Sequence, residues 1–173
     1  HKPKGTIFLR FPSLALANIA ALTPKDDEII LIDEQISPID YSLDVDLVAI
    51  SVNTSIVNRA YEIADNFRKK GIKSAFGGLH PSLMPEEALK HADAIIIGDA
   101  DGMWEQLLKD FKNNRLKKKY INTPKRSLEY LPIPKWEIFK GMGYVNTNFV
   151  ETSRGCPHHC KFCSTSHFYH HIH

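Results

Sequence analysis

Short, almost unbroken runs of β-branched and aliphatic residues recur along this chain with helix-like stretches between them, and this alternation restricts the fold more than any other feature. The runs are Glu28 to Ile32 (EIILI), Leu47 to Ser51 (LVAIS), Lys73 to Phe76 (KSAF) and Ala94 to Ile97 (AIII). A run that is apolar throughout suits a strand covered on both faces, whereas a half-exposed strand would alternate. Between the runs, Thr54 to Lys70 sets Ile56, Val57, Ala60, Tyr61, Ala64 and Phe67 along one stripe, with Asn53 or Thr54 as the cap and Gly71 as the stop. Pro85 opens another helix, with Glu86 and Glu87 in the first turn, where carboxylates meet unpaired amides. Met103 to Lys112 places Trp104, Leu107, Leu108 and Phe111 at core spacing, Leu14 to Leu22 reads as an earlier helix, and Thr6 to Leu9 as a further strand. Strands separated by helices predict an α/β fold, a parallel sheet wrapped by helices.

In open parallel sheets, ligands bind beyond the carboxyl ends of the strands, where glycine lets backbone approach closely. Three loops have that character: Ser51 to Thr54 (SVNT), Gly77 to Pro81 (GGLHP) and Gly98 to Gly102 (GDADG). Gly, Asn and Asp are also what strand-to-helix turns need, so the loops alone leave both readings open.

The chain has three cysteines, Cys156, Cys160 and Cys163, in the pattern C-x3-C-x2-C within ETSRGCPHHCKFCSTSHFY. Three thiolates on one short loop can hold three irons of a [4Fe-4S] cube and leave the fourth iron open to a small molecule. Together with His158, His159 or His167 they could instead complete a Cys3His zinc site. A disulfide framework fits poorly, because the count is odd, and the cysteine usage suits a reducing cytoplasm. The spacing, with aromatic Phe162 before the last cysteine and Thr-Ser-Arg-Gly before the first, strongly resembles the cluster loop of radical S-adenosylmethionine (SAM) enzymes. That resemblance implies a loop following the first strand of a (β/α) barrel. It also implies an open iron that chelates SAM and, on reduction, cleaves it to a 5′-deoxyadenosyl radical. The chain ends at His173, ten residues past Cys163. It is therefore expected to be a fragment with a truncated barrel, inactive by itself, and its His-rich close (HFYHHIH) is given no catalytic role.

Asp46 to Phe111 closely resembles the cobalamin-binding domain that precedes the barrel in B12-dependent radical SAM proteins. The fold so implied is Rossmann-like, of the flavodoxin type. Ser51 lies 26 residues before Gly77, a spacing similar to the Ser and Gly-Gly elements of the wider B12-binding fold. The resemblance implies that Ser51, Val52, Asn53 and Thr54, with Gly77, Gly78 and His80, surround the nucleotide tail of cobalamin. It implies that Gly98, Asp99 and Asp101 line the corrin edge, with Phe162 beside the cluster. The Asp-x-His-x-x-Gly motif that supplies a lower axial histidine in methionine-synthase-like domains is absent, and His80 occupies a Gly-Gly-x-His-Pro position where it is not the expected cobalt ligand. Asp99 and Asp101 stand where the family more often has Glu.

These readings divide the chain into a cobalamin-binding domain over 1–113, a connector over 114–146 and the start of a radical SAM domain over 147–173. Pro132 and Pro134 favour an extended path in the connector, with Tyr130, Leu131, Ile133, Trp136 and Phe139 as packing anchors. The basic run Lys112 to Lys119 reads as a solvated helix end. A net charge of +2 gives no reason to expect nucleic acid, and no apolar run approaches the roughly 20 residues that cross a bilayer. The implied cofactors are a [4Fe-4S] cluster, S-adenosylmethionine and cobalamin. The implied partners are a small-molecule substrate and an electron donor of flavodoxin or ferredoxin type, in the cytoplasm. Methyl transfer and oxidative ring formation are the two enzymatic outcomes, and a noncatalytic cobalamin- or zinc-binding module is the alternative from another class.

Overall fold

A computed structural model describes residues 9–123, 128–158 and 160–169. Four strands form one sheet: β1 (Leu47–Ser51), β2 (Lys73–Gly77), β3 (Ala94–Ile97) and β4 (Lys119–Ile121). Their order in space follows their order in sequence, and every neighbouring pair is parallel. Ser51 pairs with Gly77, Phe76 with Ile95 and Ile97 with Ile121, so all strands end at the same rim.

Alternation along β2 and β3 divides the core between the two faces. On one face Phe76 and Ile95 pack with Val52, Ala60, Tyr61 and Ala64, the last three from α2 (Val57–Arg68). Ala88 and Ala92, from α4 (Pro85–Ala88) and the turn after it, complete that cluster. On the other face Ala75, Ala94, Ile96 and Tyr120 meet Trp104, Leu107 and Leu108 of α5 (Met103–Lys112), with Ile19 and Leu22 of α1 (Leu14–Leu22) packed against them. Ser13 caps α1 by accepting from the Leu16 amide at 3.4 Å, and Trp104 Nε1 donates to Thr23 Oγ1 just past the helix at 2.9 Å. The short α3 (Leu79–Leu83) was not expected from the sequence; it fills the turn between the Gly-Gly pair and Pro85.

Two expectations need correction. Glu28 to Ile32 is irregular, and Ile30 is 49% exposed. Among the described residues its backbone has no ladder partner, and apolar character without a neighbouring strand does not make a strand. The second is the connector, whose early part belongs to the sheet as β4. Only Tyr120 of that strand is buried, and its hydroxyl donates to Asp110 at 3.0 Å, while Lys119 and Ile121 face outward. An edge strand embedded in lysines carries almost no apolar signal. The basic run does follow a helix end, and Lys112, Lys117 and Lys119 pair with Asp27, Asp110 and Glu86. Of the strand expected at Thr6 to Leu9, the first three residues lie outside the described residues, as do His159 and 170–173.

The later connector is fastened to the domain. The Lys135 amide donates to the Ala17 carbonyl at 3.0 Å and the Val145 amide to the Arg10 carbonyl at 2.8 Å. The Tyr144 hydroxyl donates to Asp33 at 2.5 Å. Phe139 is buried and its ring meets Trp136 and Tyr144, whereas Ile133, expected as an anchor, is 88% exposed. No helix among the described residues is long and apolar enough to cross a membrane.

Candidate functional site at the carboxyl rim of the sheet

Parallel pairing brings the Ser51, Gly77 and Gly98 loops to one rim, as the sequence predicted. Ser51 is exposed beside Gly77, and a Cβ built on Gly77 would meet nothing within 4 Å. Small residues at the ends of β1 and β2 therefore leave open space over the rim. Gly78 is small for the opposite reason. Its φ of 102° and ψ of −168° lie in a region open essentially to glycine alone, and an added Cβ would sit 3.0 Å from the Val52 carbonyl oxygen. The two loops are zipped there: the Val52 amide donates to the Gly77 carbonyl at 2.8 Å, and the His80 amide donates to the Val52 carbonyl at 3.1 Å. Val52 itself is fully buried, so its side chain belongs to the core and not to the rim surface, whereas Asn53 and Thr54 are exposed.

His80 is buried, with both ring nitrogens engaged. Nε2 lies 3.1 Å from the Tyr61 hydroxyl and Nδ1 lies 3.2 Å from the Thr54 hydroxyl. Tyr61 donates its own proton to Glu87 at 3.1 Å. In the neutral ring one tautomer satisfies every partner: Nε2–H donates to Tyr61 Oη, and Nδ1 accepts from Thr54. Burial, followed by the hydrogen bond to Glu87, pushes the Tyr61 hydroxyl up to about 12. His80 thus ties α2 to the β1–α2 loop and has no nitrogen left for a metal.

The third loop is tied to the second through Ser82, whose hydroxyl donates to the Gly78 carbonyl at 2.8 Å and accepts from the Gly98 amide at 3.0 Å. Asn122 Nδ2 donates to the carbonyls of Asp99 and Asp101 at 2.8 and 3.0 Å. The two carboxylates, expected along a corrin edge, are turned instead toward the segment that leads into the cysteines. Arg154 Nη1 lies 3.0 Å from Asp99 and 2.7 Å from Asp101, and Glu151 takes the far side of the guanidinium at 2.9 Å. Tyr130 donates to Asp101, and Tyr169 donates to Asp99 at 3.4 Å.

One cation shared by three carboxylates leaves an excess of negative charge. Burial pushes the Asp99 carboxyl up to about 6 against the pull of Arg154, with Asp101 and Glu151 raising it further. At Asp101 burial also raises the value, but hydrogen bonds from Tyr130 and Arg154 outweigh it and hold the group below its ordinary range. A carboxyl raised on folding binds its proton more tightly in the folded chain. Its stabilising contribution is therefore complete below 3.8 and lost as pH rises through about 6. Asp99→Asn, which keeps the uncharged shape, should gain on wild type in urea midpoint as pH is raised from about 4 to about 7. A difference that stays flat across that range would show that folding leaves the Asp99 carboxyl unshifted.

Cys156 and Cys163 are half-buried and Cys160 is exposed, with the Cys163 amide donating to the Cys160 carbonyl at 3.1 Å. Among the described residues no three metal-binding side chains converge on one point. The loop thus carries the right donors without gathering them. Phe162 is 93% exposed, so none of the described residues holds its ring in place.

The B12 binding domain family matches residues 4–108, more than half of the chain. The chain belongs to the B12-binding domain family. It is 41% identical over 165 residues to the bacteriochlorophyllide d C-8(2)-methyltransferase of Chlorobaculum tepidum, a match covering 90% of this chain and 36% of that protein. It is 28% identical to the bacteriochlorophyllide d C-12(1)-methyltransferase of the same organism, over 88% of this chain and 35% of that protein. An uncharacterized methyltransferase of Pyrococcus horikoshii is also 28% identical, over 90% and 41%. The chain thus spans little more than a third of the length of the first two relatives.

Within this B12-binding domain the parallel sheet, the rim and the glycine pair follow from local patterns. Sequence reasoning missed Arg154 as a rim residue and Ser82 and Asn122 as ties between loops. The only available signal for Arg154 was its place two residues before Cys156, which says nothing of a partner 53 residues earlier.

Proposed function

We propose that this chain is the cobalamin-binding part of a B12-dependent radical SAM methyltransferase, together with its cluster loop. The observation that carries the proposal is the open rim over Ser51 and Gly77, with the segment leading into three thiols tied by Arg154 to the neighbouring Asp99–Asp101 loop. A corrinoid's nucleotide tail needs a slender approach past bare backbone, and the space over Gly77 fits that need. Cys156, Cys160 and Cys163 would hold the cluster, since three cysteines on one loop are the donor set a [4Fe-4S] cube with one open iron requires. When bound, cobalamin supplies a transferable methyl group, while the cluster and SAM supply one-electron reductive cleavage. The protein's own part is to seat the tail, keep His80 away from cobalt and hold the cysteine loop near the rim. Two of the relatives are named as methyltransferases of bacteriochlorophyllide, which favours methyl transfer over oxidative ring formation.

Anaerobic reconstitution with iron and sulfide, followed by titration with hydroxocobalamin, tests this reading. Iron and sulfide in equal amounts and saturable corrinoid uptake are expected; zinc alone with no corrinoid uptake would place the chain among noncatalytic metal-binding modules.

His80 provides a separate prediction. Bound cob(II)alamin should give a paramagnetic resonance signal without nitrogen superhyperfine splitting, because a tail seated at the rim would leave cobalt, and both imidazole nitrogens of His80 are taken. His80→Ala should leave that signal unchanged and lower stability by about 1–3 kcal/mol, as Tyr61 and Thr54 lose a buried partner. Splitting that is present in wild type and lost in the variant would make His80 a cobalt ligand.

A further inference from the structure

Among the described arginines that form ion pairs, Arg154 is the most buried and serves the most acids. Its side chain is 10% exposed, against 41% for Arg59 and 37% for Arg68, which pair on the surface of α2. Two of its three carboxylates come from the loop after β3, and the third, Glu151, comes from its own segment. A buried guanidinium stays charged whether or not it is paired, so breaking these contacts would leave a buried charge without compensation, which is costly. The acids are braced in turn. Asn122 holds the carbonyls of both, its own amide donates to the Ile97 carbonyl at 2.9 Å, and Tyr130 donates to Asp101. The loop that receives Arg154 is therefore fixed to β3 and to the end of β4. A planar fork can serve two aspartates on one edge and a glutamate on the other, which a lysine ammonium cannot.

We infer that Arg154 is a positioning residue whose fork clips the segment leading into Cys156 onto the Asp99–Asp101 loop, so that the sheet rim and the cysteine loop are ordered together. What the rim binds rests on the function proposed above; the clip does not. A ligand that settles the rim would then also settle the cysteine loop, through ion pairs and not through direct contact.

Amide hydrogen exchange on this chain, read by peptide, tests the clip in two stages. Without any cofactor, Arg154→Gln should speed exchange in both 98–102 and 151–156 by roughly tenfold or more, the scale of a lost charge-assisted hydrogen bond. Asp101→Asn should do the same at 151–156, and Arg154→Lys should fall between, while β2 stays protected in all three. Exchange at 151–156 indistinguishable from wild type would overturn the clip. So would a rise spread evenly through β2, which would make Arg154 a contributor to general stability. With hydroxocobalamin added, exchange at 151–156 should slow in wild type and not in Arg154→Gln; equal slowing in both would show that coupling takes another route and would overturn joint ordering. If wild type takes up no hydroxocobalamin, the proposed function fails while the cofactor-free comparison still decides the clip.

Discussion

Gly78→Ala is expected to destabilise the folded chain by about 3–5 kcal/mol, whereas Gly77→Leu, one residue earlier, should leave stability nearly unchanged and abolish corrinoid uptake. At Gly78 the backbone region alone costs a residue with a side chain about 1–3 kcal/mol. The new methyl would also press on the Val52 carbonyl, which cannot retreat because it accepts from the His80 amide while the Val52 amide is held by Gly77. At Gly77 neither penalty arises, since the added carbon enters open space over the rim. That space is where a nucleotide tail would lie. Urea unfolding and hydroxocobalamin titration of both variants check the contrast. A Gly77→Leu protein that is stable and still binds corrinoid with wild-type affinity would move the tail elsewhere.

Cys160→Ala is expected to remove iron and sulfide altogether after anaerobic reconstitution, with the unfolding midpoint unmoved. Two thiolates cannot hold a cube that three barely complete, and the chain has no fourth cysteine to substitute. Cys160 is exposed, so its replacement lies within the roughly ±0.5 kcal/mol typical of surface changes. Loss of metal would then be a matter of chemistry and not of unfolding. Iron and sulfide at wild-type content in Cys160→Ala would defeat the cluster assignment.

What could be read from the sequence was what is written locally. KSAF and AIII are strands whose apolar residues are buried in the middle of the sheet, LVAIS is a strand at the sheet edge with Ala49 and Ser51 exposed, and Met103–Lys112 is a helix because Trp104, Leu107 and Leu108 recur at its period. EIILI carries the same local signature and is not a strand, since pairing is a property of two segments. Lys119–Ile121 errs the other way, with one buried tyrosine between outward residues. The glycine pair and the cysteines were legible as candidate site residues because unusual backbone and thiol chemistry each demand particular residue types. The partners of Asp99 and Asp101 were not. An aspartate in a GDADG turn looks the same whether it faces a ligand or an arginine 53 residues away.

The connector that doubles back over the first helix has a consequence for how such a domain can be handled. Because β4 and the hydrogen bonds from Lys135 and Val145 lie beyond residue 113, the sheet is not a portable cassette that ends where its helices end. A clone stopping at 113 would bare the edge of β3 and part of the surface of α1, and on a ribosome the same surfaces would wait for residues through about 145 to emerge. Transplants of this rim into other proteins should carry the chain through Val145.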